Sequence, residues 1–175
     1  MKKKTLALVL ALTLLVAGVV GGTLAWLTDR TAEVKNTFTV GDINIGLTET
    51  TTDYKMVPGN TIAKDPTVTV KANSEACWLF VQVTESTNLK DFITYAIAEG
   101  WTKLKSGVYY REVPASAADQ TFSVLAGDAV TVKSDVTKEM LTAKDFANPT
   151  LTFKAYAVQK DNVASASDAW AKVNP

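Results

Sequence analysis

Histidine is absent from the 175 residues, and cysteine occurs once, at Cys77. The first absence removes the imidazole on which His-Glu-x-x-His zinc sites and Ser-His-Asp or Cys-His nucleophile arrangements depend. The second removes any internal disulfide, so the fold must be held by packing alone. An excess of charge of either sign is missing as well: 18 Lys plus Arg stand against 18 Asp plus Glu. Without a basic excess or a basic stripe, the phosphate-neutralising attraction that dominates nucleic-acid binding is lacking, and no nucleic-acid partner is expected.

Long apolar runs are confined to one place, the start. Met1 to Leu27 reads as a signal peptide. Lys2, Lys3 and Lys4 hold the start on the cytoplasmic side, Leu6 to Val20 supply the apolar region, and Thr23-Leu24-Ala25 offers small residues at the −3 and −1 sites before Trp26. The run approaches the roughly 20 residues that span a bilayer, so a permanent anchor is the competing reading. Gly18, Gly21 and Gly22 break up its end and favour cleavage. The expected organisation is a signal helix over 1–25, an arm over 26–37 and one domain over 38–175, exported from the cell and touching membrane only through the uncleaved signal. Loss of the three lysines leaves 15 basic against 18 acidic residues, a mature charge of −3. The remaining length is enough to bury a core without staples.

Along that domain, apolar residues alternate with Thr, Lys and other polar residues in short segments punctuated by Gly, Pro, Asn and Asp. Phe38-Thr39-Val40 puts its apolar set on even positions, whereas Ile43, Ile45 and Leu47 put theirs on odd ones, which predicts a bulge or kink at Gly41. Val68 and Val70 predict a strand introduced by Pro66. Cys77 to Thr84 reads as a central strand, with Cys77, Leu79, Val81 and Val83 on one face and Trp78 and Phe80 on the other. Further strands are expected over Gly107–Val113, Gln120–Leu125, Ala129–Lys133 and Thr150–Gln159, with turns at Lys105-Ser106-Gly107 and Ala126-Gly127-Asp128. Helices are expected over Thr87–Ile97 and over Ser165–Val173, the latter with a capping box of Ser165 and Asp168 and with Trp170 and Val173 on its apolar face. Thr137–Asn148 is either a short helix or a long connection. Together these give an all-β, jelly-roll-like antiparallel β-sandwich with two or three short helices.

The candidate chemistry is sparse. Cys77 lies among apolar neighbours in Ala76-Cys77-Trp78-Leu79-Phe80-Val81 and reads as a small core residue. Asp42 and Asn44 have the spacing of calcium-loop oxygens, but Gly46 occupies the next ligand position, and period two makes them the solvent side of a strand. Trp78 and Trp170 read as core, Trp101 as partly exposed beside Thr102, Lys103 and Lys105. No metal and no cofactor is expected.

The run Gly21-Gly22-Thr23-Leu24-Ala25-Trp26-Leu27-Thr28-Asp29 resembles the junction of the TasA/camelysin family of secreted Gram-positive proteins. Asn36-Thr37-Phe38-Thr39-Val40-Gly41-Asp42-Ile43-Asn44-Ile45 is similar to that family's first strand, and Val57-Pro58-Gly59 with Lys64-Asp65-Pro66 to the loop after it. Trp101-Thr102-Lys103-Leu104, Tyr109-Tyr110-Arg111-Glu112, Ala155-Tyr156-Ala157-Val158-Gln159 and Asp168-Ala169-Trp170 extend the resemblance over most of the chain. It implies processing by a SipW-type signal peptidase and a jelly-roll domain at the cell surface or in biofilm matrix, where family members polymerise into fibres. On that reading the segment from Trp26 to Lys35 is a candidate donor strand, with Leu27 and Val34 filling pockets of the next copy in a head-to-tail homopolymer. A folded-back first strand in a monomeric surface-binding module is the alternative. No sorting motif is visible near Pro175, so covalent anchoring through a C-terminal signal is not expected.

Camelysin-like relatives are described as metalloendopeptidases, but a chain without histidine does not supply their ligand set, and no enzymatic activity is expected. Purified protein is therefore predicted to leave casein intact. Chelator-sensitive digestion by the purified protein would restore the protease reading.

Overall fold

The computed structural model describes residues 42–52 and 54–173. Within them the alternating segments become antiparallel strands: β1 (Ile45–Thr48), β2 (Thr61–Ala63), β3 (Thr67–Val70), β4 (Cys77–Glu85), β5 (Ile93–Thr94), β6 (Thr102–Lys105), β7 (Val108–Val113), β8 (Gln120–Ser123), β9 (Ala129–Val132) and β10 (Leu151–Gln159). Three short helices accompany them among the described residues: α1 (Leu89–Phe92), α2 (Lys138–Thr142) and α3 (Ala166–Val173).

One sheet has the order β10-β4-β7-β6. Two smaller ladders, β1-β3-β8 and β2-β9-β5, are halves of the opposing sheet. Lys64-Asp65-Pro66 separates β2 from β3, and because Pro66 has no N–H to give, the ladder cannot run straight through. Backbone bonds bridge the gap: Lys64 N–H donates to the Asp128 carbonyl at 2.7 Å, and Val124 N–H to the Pro66 carbonyl at 2.9 Å. With β2/β3 and β8/β9 each counted as one bent strand, β8/β9 returns between β2/β3 and β5, while β4 lies between β10 and β7. This interleaving is that of a jelly-roll sandwich.

Period two in β4 explains the layers. Cys77, Leu79, Val81 and Val83 enter the core between the sheets with Val68, Val70, Val113 and Val124. Trp78 and Phe80 emerge on the outer face, where α3 covers them with Ala166, Ala169 and Trp170. The Trp170 ring lies 5.3 Å from Phe80 and 5.3 Å from Tyr156, edge-on to the latter. An aromatic side chain buried this way is worth about 3–5 kcal/mol against alanine. Helix α3 starts where the capping box places it, since Ser165 Oγ accepts the Asp168 N–H at 3.1 Å. A third cluster, Phe92, Val132 and Val136, closes the end formed by β2, β9 and β5.

Several expectations need correction. The helix expected over Thr87–Ile97 is only the four residues of α1, after which Ile93 turns extended and begins β5. Asn88 makes no side-chain cap there, and pairing of β-branched Ile93 with Val132 outweighs the helical periodicity. Leu47, expected to face inward, is exposed at the end of a short edge strand, although Ile43 and Ile45 do pack on the core. The Gln120–Leu125 strand leaves its ladder after Ser123, and the three-residue β2 was not anticipated. Thr137–Asn148 resolves into α2, capped by Thr137 Oγ1, followed by a connection. The signal segment, the arm, the Phe38–Val40 strand and the kink at Gly41 lie outside the described residues.

The β6–β7 turn depends on close backbone approach. Gly107 and Gly127 both have positive φ, 69° and 66°, but a Cβ on Gly107 would lie 2.6 Å from the Val83 carbonyl oxygen, whereas one on Gly127 meets nothing within 4 Å. Gly127→Ala is predicted to cost about 1–2 kcal/mol, the left-handed penalty alone. Gly107→Ala is predicted to cost a further 1–3 kcal/mol or so, as overpacking does. Urea unfolding of the two variants checks this, and equal costs would contradict it.

Candidate functional site

The break between β2 and β3 does more than bend a sheet. With its backbone fixed to Asp128, Lys64 sends its side chain beneath the segment that follows β1, where only 9% of it remains exposed. Glu49, at 17% exposure, meets it there with Oε1 2.6 Å from Nζ. The rings of Tyr54 and Phe153 stand 4.9 and 5.5 Å from the same nitrogen, so the ammonium is enclosed by one carboxylate and two π faces. Tyr54 donates its hydroxyl to Glu49 Oε1 at 2.8 Å and also to the Thr51 carbonyl. Burial, reinforced by Glu49, pushes the phenol above its ordinary range.

The segment carrying Glu49 and Tyr54 is pinned from outside. Thr50 donates both its hydroxyl and its N–H to the Asp65 carboxylate, and these bonds, the hydroxyl first, hold that carboxyl below the usual range. Lys64 and Tyr54, with Thr52, Asn148, Thr150 and Thr152, are the polar lining of a cavity of about 420 Å³. Met56, Ile62, Leu89, Ile93, Val130 and Leu151 supply its apolar wall, between β2 and β9 on one side and the start of β10 on the other.

A second feature is the edge beside that cavity. β10 pairs with β4 over nine residues, from Leu151↔Glu85 to Gln159↔Cys77, without a register shift, and β4 is its one ladder neighbour among the described residues. Its inward side chains Leu151, Phe153, Ala155 and Ala157 are only partly buried. The described chain begins at the other end of the sandwich, where the Asp42 carbonyl accepts the Glu75 N–H.

The residues singled out from sequence do not converge on a site. Thr23, Ala25, Trp26, Leu27 and Val34 lie outside the described residues. Asp42 and Asn44 are exposed. Cys77 is fully buried, and desolvation pushes its thiol up to about 11, far from a thiolate at neutral pH. Trp78 and Trp170 are core, while Trp101 is half-buried and donates its indole N–H to the Ser123 carbonyl at 2.8 Å. Among the described residues no three acidic or cysteine side chains gather as a metal site would require.

Two groups escaped the sequence reading. Arg111 faces the sandwich interior with Tyr109 and Val113, its guanidinium 3.8 Å from the Phe122 ring centre and 5.4 Å from that of Trp101. Its period-two position was the available signal. Lys64 and Glu49 carried no such signal, since both stand where periodicity stops. No family model, curated protein or solved structure matches the chain.

A charge pair this buried is costly to break from one side. Lys64→Met or Glu49→Leu alone is predicted to destabilise the domain by about 3–5 kcal/mol, because each strands an unpaired buried charge. The double variant is predicted to be more stable than either single one in chemical denaturation. A double variant at the sum of the two single losses would contradict this.

Proposed function

We propose that the chain is a secreted structural subunit of the cell surface or biofilm matrix, which polymerises head to tail by lending residues 26–37 to the next copy. The observation that supports this reading most directly is the β10 edge. A long, unbulged edge with half-covered apolar side chains beneath it is a template for another strand, and soluble domains ordinarily blunt such edges with bulges, prolines or short strands. Each main-chain bond gained there contributes about 0.5–1.5 kcal/mol net, and apolar side chains of the arm, Leu27 on one face of the added strand and Val34 on the other, add selectivity. The described chain starts at one end of the sandwich and the cavity beside β10 opens at the other. A contact that joins opposite ends is head-to-tail, and where its rotation does not close it repeats into filaments.

On this reading a SipW-type signal peptidase cuts near Ala25 during export and frees the arm, while the uncut signal keeps it tethered at the membrane. A monomeric surface-binding module is the second reading, and the cavity of about 420 Å³ favours it.

Protein beginning at Trp26 is predicted to form filaments in negative-stain microscopy and large species in size-exclusion chromatography, and protein beginning at Phe38 to stay monomeric. A synthetic peptide of residues 26–37 is predicted to suppress assembly of the longer form by occupying the acceptor edge. Two equally monomeric samples would sink the donor arm and leave the binding module.

A further inference from the structure

We propose that Lys64 and Glu49 become joined by an amide bond between Lys64 Nζ and Glu49 Cδ, a covalent cross-link from the segment after β1 to the break between β2 and β3. The inference is independent of the assembly reading. It rests on a reacting pair already in contact, 2.6 Å from nitrogen to Oε1, with side chains only 9% and 17% exposed. A hydrogen-bonded pair of this length holds the nitrogen close to the roughly 3–3.5 Å from the carboxyl carbon at which addition begins. Among the described residues Glu49 is the one carboxylate in ion-pair contact with Lys64.

The surroundings favour condensation over a lasting ion pair. The Tyr54 hydroxyl donates to Oε1, the oxygen that takes the negative charge when the amine adds to Cδ, and so acts as an oxyanion donor. The Tyr54 and Phe153 rings, 4.9 and 5.5 Å away, shield part of the nitrogen from water. Effective molarities of about 10⁵–10⁸ M for such held pairs stand against the far lower concentration of competing water. The atoms balance without an oxidant or a second reactant. The Nζ–Cδ bond forms and the Cδ–Oε2 bond breaks. Of the three ammonium protons, one stays on the amide nitrogen and two depart with Oε2 as water. One positive and one negative charge disappear together, which relieves the desolvation penalty of burying them. The adjoining cavity, lined by Lys64 and Tyr54, gives the released water a way out.

Such a bond would tie down an edge strand. β1 is four residues long, sits at the edge and has β3 as its one ladder partner among the described residues. A pull on the chain ahead of Asp42 peels β1 from β3 and then meets the cross-link at Glu49.

Intact-mass measurement of the full chain tests the proposal. The expected mass is one water below that of the sequence, or of whatever processed form the N-terminus defines. Tryptic digestion is expected to give a branched peptide containing Glu49 and Lys64, uncut after Lys64. Glu49→Ala and Lys64→Arg are expected to return the unmodified mass. An unmodified mass in the wild-type chain, or a water loss mapped to any other pair of residues, would overturn it.

Discussion

Strand β4 is the constraint from which the rest of the domain follows. Its odd residues fill the gap between the sheets and its even residues the gap beneath α3, so one strand is buried on both faces and bonded on both edges. A domain without a disulfide among its described residues must obtain cohesion from apolar burial, and β4 supplies it twice over. Covering the outer face requires α3, and α3 must start at the right place for Trp170 to land on Phe80. The Ser165 cap therefore matters to the core as well as to the helix.

Burying β4 so completely pushes exposure outward to the strands beside it. β7 is shielded on its far side by β6, through a turn that only a glycine at 107 permits. β10 has no ladder partner on its far side among the described residues; β1 packs beside it instead, with the half-buried Ile43 and Ile45 on the same core as its inward side chains. The incomplete edge is thus the geometric counterpart of the complete centre. An incoming strand at β10 would extend the sheet on the side that burial of β4 leaves unfinished.

The legible parts of the sequence were those governed by a single period. Cys77 to Val83, Val68 and Val70, and the Leu151–Gln159 alternation each lie on one straight ladder, so side-chain order reports burial directly. The Ser165–Asp168 cap is local and was equally readable. What escaped lies where tertiary pairing takes over from local preference. Ile93 belongs to a helical stripe in sequence but is drawn into a strand by Val132, and β2 is too short to show a period at all. Lys64 and Glu49 are adjacent only because two interrupted ladders bring their loops together, a relation with no one-dimensional trace.

That interruption involves both strands. Pro66 cannot donate to β8, and the single residue Asp65 on β2/β3 faces three, Leu125 to Gly127, on β8/β9, so the register shifts between the half-sheets; Lys64 falls at the shift, its amide making the last bond of the β2–β9 register, to Asp128. The shift opens the space that becomes the cavity, and a side chain rooted there has nowhere to go but under the Glu49–Tyr54 segment. A lysine in such a place cannot remain an isolated ion, since an unpaired buried ammonium is far too costly. Glu49, Tyr54 and Phe153 are therefore consequences of the break as much as the cavity is. The bent strand, the hollow and the enclosed charge pair meet at one break, between Lys64 and Pro66 on one strand and Val124 and Asp128 on the other.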